Sequence, residues 1–202
     1  MRLSKPPATE LKPLKVTCTS SDCANGLHCF KPTRKMRMAD QTGRCRSCGA
    51  ELVDWERIQT RDLSDVIYTF AALKHELYRH YYWHVDIDRW ALNYARRKGR
   101  AKLHLAIEPR LRKSVSAPAG PYDGRQTPRE RNPIYYAQHA TATCCRGCLK
   151  RWHGVPADRA LTDDEIQYLG DLVGLYLDER LPDLPELGQK IPPIRPATVT
   201  EA

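Results

Sequence analysis

The 202-residue sequence predicts an α-rich fold stapled by small cysteine-bearing modules, and three observations carry that expectation. Eight cysteines fall in two tight clusters, Cys18 to Cys48 and Cys144 to Cys148. Apolar residues recur at three-to-four spacing from Leu63 to Tyr94 and again from Ile166 to Tyr176, the pattern of one buried helical face. Hydrophobic residues make up only 41% of the chain, which allows a modest core but not one large core along its whole length.

Taken in chain order, residues 1–15 are rich in proline and lysine and predict a disordered tail. Residues 16–58 mix five cysteines with glycine, serine, asparagine and proline, a composition suited to turns and short strands pinned by an ion. Residues 59–113 read as a helical basic region. Within it, 60–98 predicts helix, with Asp62 or Ser64 as the cap and Gly99 as the stop. Residues 114–182 form the next unit. It opens with a proline- and glycine-rich loop up to 133, carries the second cysteine cluster, and closes with a helix. Thr162, with Glu165 three positions later, is a capping-box pattern for that helix. From 183 onward the proline-rich sequence reads as a second loose tail. No repeat of fixed period is present.

No secretory leader or membrane span is visible, since the run Val66 to Leu73 is far too short to cross a bilayer. The expected compartment is the cytoplasm. Thiols stay reduced there, and clustered cysteines read as metal ligands before they read as disulfides.

In the first cluster the sharpest signal is Cys45-x2-Cys48-Gly49. Such a knuckle turns the backbone so that two thiolates converge on one ion, and the glycine relieves strain just past the turn. A tetrahedral zinc needs two more ligands. Cys18, Cys23, Cys29 and His28 compete for those places, and spacing does not choose between them. A structural zinc ribbon is expected, with an iron–sulfur cluster as the alternative use of the same thiolates. Lys31, Arg34, Lys35, Arg37, Arg44 and Arg46 give the module a basic dressing suited to phosphates.

In the second cluster, Cys145-x2-Cys148 can converge on a metal. The favoured set is His139, Cys145, Cys148 and His153, with Cys144 as the substitute. Two zinc ions are therefore expected in all. With four side chains the site is structural. With three, a bound water of pKa about 7 could attack an ester or amide, and Gln138, Thr141, Thr143 and Arg146 would line it. His80 and His84 share a helix face with Asp88 one turn on, but the aromatic residues around them favour packing over metal.

The segment QHATATCCRGCLKRWHGVP, with DGRQTP upstream and LTDDEI downstream, resembles a bacterial domain-of-unknown-function family, number 4186, over about residues 120–180. The resemblance brings no established activity. It singles out Asp123, Gln126, His139, Thr141, Thr143, Cys144, Cys145, Arg146, Cys148 and His153, a denser polar set than a fold needs, and so raises the expectation of a chemical site. The N-terminal cysteine module lies outside it.

Charge is unevenly spread on a chain of net +9. Nine basic residues between 89 and 113 face a single acid, Glu108, while residues 161–188 carry eight acids against Arg180. The basic stretch, above all Arg96, Arg97, Lys98, Arg100 and Lys102, is expected to meet the backbone of DNA or RNA. The acidic last helix suggests a docking surface for a protein partner. No phosphate loop, dinucleotide glycine fingerprint or serine elbow is present, which argues against nucleotide-driven chemistry and serine hydrolysis. The leading expectation is a zinc protein that binds nucleic acid. A metal-dependent nuclease or other hydrolase at the second cluster, and an adaptor, are the alternatives.

Overall fold

The computed structural model describes residues 16–119, 127–192 and 194. The expected tail at 1–15 and the family-signature positions Asp123 and Gln126 lie outside these. The described residues form helices α1 (Arg34–Met38), α2 (Trp55–Gln59), α3 (Val66–Lys74), α4 (Leu77–His84), α5 (Arg89–Leu105), α6 (Ile107–Val115), α7 (Pro133–Ala140), α8 (Arg146–His153) and α9 (Asp163–Arg180). Short 3-10 turns stand at Cys23–Asn25 and Leu63–Asp65. The fold is helix-rich, as its sequence predicts. Among the described residues, β pairing is limited to two isolated bridges, Asp22 with Leu27 and His28 with Glu76, so the strands expected of a ribbon shrink to single contacts.

The stretch expected as helix over 60–98, continuous or with a second helix from Ile87, is three helices. Asp62 does cap its start, accepting from the Ser64 amide at 2.8 Å. The first break falls at His75 and Glu76, where the N-terminal module plugs in. The His28 amide donates to the His75 carbonyl at 2.8 Å, and the Leu77 amide donates to the His28 carbonyl at 2.9 Å. Backbone groups freed by ending α3 are thus satisfied by another segment rather than left orphaned. Asp88 makes the next start, accepting from the Trp90 and Ala91 amides at 2.8 and 3.0 Å to cap α5.

α9 is the central post. Leu169, Leu172, Val173 and Tyr176 are fully buried, against Ile107 and Leu111 of α6 and Ile134 and Ala137 of α7. α4 lies across α7 and supplies Tyr78 and Tyr82. The N-terminal module joins this core through an aromatic contact. Trp55 of α2 lies 4.9 Å from Trp152 of α8, and Phe30 packs edge-on against both.

Gly99 does not end α5 but notches it. Its φ of 71° is left-handed, and helix resumes beyond it to Leu105. The reason is a crossing chain: a Cβ at position 99 would lie 2.4 Å from the Leu187 carbonyl carbon. Expected to be loose, the segment from Leu184 to Gln189 is instead laced into this notch. The Arg100 amide donates to the Pro185 carbonyl at 2.9 Å, and the Gln189 amide to the Arg96 carbonyl at 2.8 Å.

The two stretches of opposite charge meet at a few ion pairs, and Lys74 of α3 adds another to the acidic helix. Arg112 reaches Asp163 at 2.7 Å, Arg100 and His104 both bind Asp178, and Lys74 reaches Glu179 at 3.4 Å. These pairs are partly exposed and each is worth at most about 1 kcal/mol. Glu165 is the buried member of the set. It closes the expected capping box with Thr162 and takes a two-pronged ion pair from Arg159. The Arg159 hydrogen bonds hold its carboxyl, against burial, at about 2 rather than 4.5. A depressed carboxylate stabilises the fold above its unfolded pKa, and that contribution disappears as pH falls through the folded value. Between pH 4.5 and 2, wild type should therefore lose about 1–3 kcal/mol more than Glu165→Gln, with the exposure of Arg159 keeping the effect below the full shift. Parallel pH titrations of denaturant midpoints in the two proteins check this; identical pH profiles would contradict it.

Candidate metal centres

The first centre gathers Cys23, His28, Cys45 and Cys48, whose ligand atoms all lie within 4.8 Å of one another. Local backbone features explain the convergence. The turn Cys23–Asn25 closes on Gly26 in the left-handed region and, through the Asp22–Leu27 bridge, swings His28 back over Cys23. Gly49, at φ 79°, returns its amide to the Cys45 carbonyl at 2.8 Å and completes the knuckle. Burial pushes the Cys45 thiol up, but backbone amides of Cys29, Cys48 and Ser47 and the His28 ring outweigh it and bring the thiol to about 6. This environment favours thiolate.

The spacing fits one tetrahedral ion. Two sulfurs bonded at about 2.3 Å to a tetrahedral centre stand roughly 3.8 Å apart. Cys23 and Cys45 sulfurs are 3.7 Å apart, and Cys48 Sγ lies 3.4 Å from His28 Nδ1. All eight cysteines are free thiols. Of the competitors for this centre, Cys23 and His28 are brought in, whereas Cys18 and Cys29 are not. Cys29 is fully buried, and its thiol donates to the Cys18 carbonyl at 3.3 Å.

The second centre gathers Cys144, Cys145 and Cys148. Cys145 sits at the N-cap of α8, so Cys148 lies one turn into the helix beneath it, and Ala142 at φ 58° turns the chain to bring Cys144 alongside. Cys144 and Cys148 sulfurs are 3.8 Å apart, the tetrahedral edge again. A buried guanidinium faces them. Arg79 of α4 donates from Nη2 to Cys148 Sγ at 3.0 Å and from Nη1 to the His139 carbonyl at 2.6 Å. Hydrogen bonds from Cys144 and Cys145, then the charges of Arg79 and Arg151, hold Cys148 well below the usual thiol range despite burial.

His139 and His153, expected as ligands here, stand outside the group. His139 Nε2 lies 2.9 Å from the Thr127 carbonyl, which makes it the protonated nitrogen, and Nδ1 accepts from Tyr78 at 3.3 Å. His153 repeats the arrangement, with Thr141 at 2.8 Å and Tyr168 at 3.4 Å. Burial brings both rings to about 4, so both are neutral at physiological pH, with each ring nitrogen hydrogen-bonded. The polar residues expected to line a hydrolytic site also hold structure. Arg146 donates to the Val115, Pro156 and Arg159 carbonyls, Gln138 to the Thr143 carbonyl, and Thr141 to the Ala137 carbonyl. His80 and His84 stack on each other at 4.0 Å, and Asp88 faces Tyr136 and the α5 cap instead of a metal.

A family model for a domain of unknown function, DUF4186, matches residues 67–178. The chain belongs to this family. The DUF4186 match reaches back well before residue 120, to α3, and so takes in Arg79 as well as the second centre. It leaves the first centre outside. No solved structure matches the chain. Within the DUF4186 region, sequence reasoning missed Glu76 and Arg79. Their signal was two charged residues placed among apolar positions of a helix pattern, which burial permits only as a pair. Of the basic residues expected to meet nucleic acid, Arg96, Arg97 and Lys102 are exposed and Lys98 leans on the Tyr94 ring at 5.3 Å. Arg100 is engaged, pairing with Asp178 and donating to the Leu181 and Pro182 carbonyls.

Proposed function

We propose that this chain is a two-zinc protein that grips a nucleic-acid strand in a groove between its N-terminal module and α8. The groove carries the reading. It measures about 690 Å³, its aromatic wall is the half-buried Trp55 ring backed by the buried Phe30, and its exposed cations are Lys31, Arg37 and Lys150, with Arg151 set behind them against Glu76 and no acidic residue in the lining. A ring that can stack on a base, here Trp55, beside cations that can meet phosphates is what single-strand binding requires, and neither part demands a particular sequence. A hydrogen bond from Trp55 Nε1 to the Gly43 carbonyl at 3.0 Å fixes the ring in advance of any ligand. Arg96, Arg97 and Lys102 offer a further basic surface on α5.

Zinc is favoured over iron–sulfur clusters by the compactness of both donor groups, all within 4.8 Å, because a cluster spreads its cysteines over several irons. Cysteine with histidine at tetrahedral spacing is an ordinary zinc set. The metal frames the groove, since Phe30 lies two residues beyond His28 of the first centre and Lys150 two residues beyond Cys148 of the second.

Fluorescence anisotropy with a short labelled single strand tests the proposal. Binding should weaken steeply with salt, by roughly 0.7 log units of affinity per log unit of salt for each phosphate neutralised. Arg37→Ala and Lys150→Ala, both at the surface, should each lower affinity several-fold and flatten that slope. Failure to bind single-stranded DNA or RNA at low salt would end the reading.

A further inference from the structure

Trp90 is an indole left in water. It stands in the first turn of α5, 51% exposed, with the Arg131 guanidinium over its ring at 5.5 Å. One carboxylate places both. Asp88 Oδ1 accepts from the Trp90 amide at 2.8 Å, and Oδ2 accepts from the Arg131 amide at 2.6 Å. Arg131 takes a φ of 72°, a left-handed conformation disfavoured for a residue with a side chain. The cap of α5 therefore sets a cation beside an exposed ring in advance of any ligand.

The same face continues along the helix. Trp90, Tyr94, Arg97 and Lys98 fall at i, i+4, i+7 and i+8 and share one side of α5 ahead of the Gly99 notch. Lys98 Nζ lies 5.3 Å from the Tyr94 ring centre, a second cation beside a second ring. From Arg89 to Lys98 the chain carries four cations and no acid, and residues 129–131 add two arginines to one glutamate. Among the described residues, Arg89, Arg97, Lys98 and Arg131 form no ion pair with a carboxylate.

We propose that this face of α5 is a second strand-binding site, in which a base stacks on Trp90 while Arg131 and Lys98 meet the adjoining phosphates. The inference rests on the reading of the chain as a strand binder and adds a contact outside the groove. A single strand fits because it offers flat rings and closely spaced anions together, whereas an acidic peptide offers the charge without a ring for the indole.

Indole N–H resonances of the full zinc-loaded, nitrogen-15-labelled chain read the two sites separately, Trp90 for α5 and Trp55 for the groove. Each is assigned by its substitution with phenylalanine. Titration with a single strand of about four nucleotides should shift both signals. Inorganic tripolyphosphate and polyglutamate, which carry charge without bases, should shift Trp90 far less. Arg131→Ala, at the surface, should weaken the Trp90 titration several-fold and leave the Trp55 titration unchanged. A Trp90 signal unmoved by the strand while Trp55 responds overturns the second site and leaves the groove. Trp90 responding alone supports the α5 site and overturns the groove. If neither moves, both readings fall. Equal Trp90 shifts with tripolyphosphate or polyglutamate, or an Arg131→Ala titration identical to wild type, also overturn the proposal.

Discussion

Removing the metal from the reduced protein with a strong chelator is expected to unfold residues 16–58 and to expose Trp55. Very little else holds that module together. Between 16 and 58 the buried side chains are His28, Cys29, Phe30, Cys45 and Ile58, and two of these five are candidate ligands in the first centre. Its helices α1 and α2 are five residues each, far below the length at which a helix is stable alone. A structural zinc supplies about 10–16 kcal/mol of apparent binding energy at neutral pH, which exceeds anything two buried apolar residues can offer. Hydrogen exchange across 16–58 should become complete within the dead time, near-UV dichroism from Trp55 and Trp152 should collapse, and added zinc should restore both. Cys45→Ser should behave as the stripped protein does. A reduced, metal-free chain that keeps full protection in this module would remove the basis for a metal-stapled fold.

The second large effect is expected at the Glu76–Arg79 pair. Both side chains are almost entirely shielded from water, at 1% and 0% exposure, and they sit one helical turn apart at the break where the N-terminal module plugs in. Glu76 anchors Trp152, and Arg79 serves Cys148 and the His139 carbonyl. Glu76→Ala leaves a buried guanidinium without its carboxylate, and Arg79→Ala leaves the converse. Truncating one partner of such a pair costs about 3–5 kcal/mol, which for a chain of this size lowers Tm by roughly 10 °C or more. Arg79→Ala should also loosen the second centre, seen as faster zinc transfer to a chelator, whereas Glu76→Gln should cost less because it keeps the acceptor for Trp152. Unchanged Tm for both alanine variants would mean that water reaches the pair.

Much of the fold was legible in local chemistry. Thr162 and Glu165 marked the start of α9 and Asp62 the start of the first helical stretch, because caps act within one turn. The Cys45–Cys48 knuckle was readable for the same reason. What the sequence hid depends on distant segments. The break at His75 exists because His28 inserts there, and no pattern within 60–98 announces a partner nearly fifty positions away. His139 and His153 have the residue type and spacing of ligands, yet a carbonyl and a tyrosine hydroxyl claim each ring, and those partners come from elsewhere in the chain. The charge asymmetry was real but reads differently in three dimensions. Arg100 and Arg112 look available to a polyanion only until Asp178 and Asp163 are seen opposite them.

The notch at Gly99 has a consequence for how the chain is made. The carbonyl that receives the Arg100 amide belongs to Pro185, eighty-five positions later. At translation speeds of about 5–20 residues per second, several seconds pass before that partner even leaves the ribosome. During that interval α5 carries an open backbone gap, and the nascent polypeptide cannot finish this helix, however early its other turns form, until the far strap arrives and threads across it.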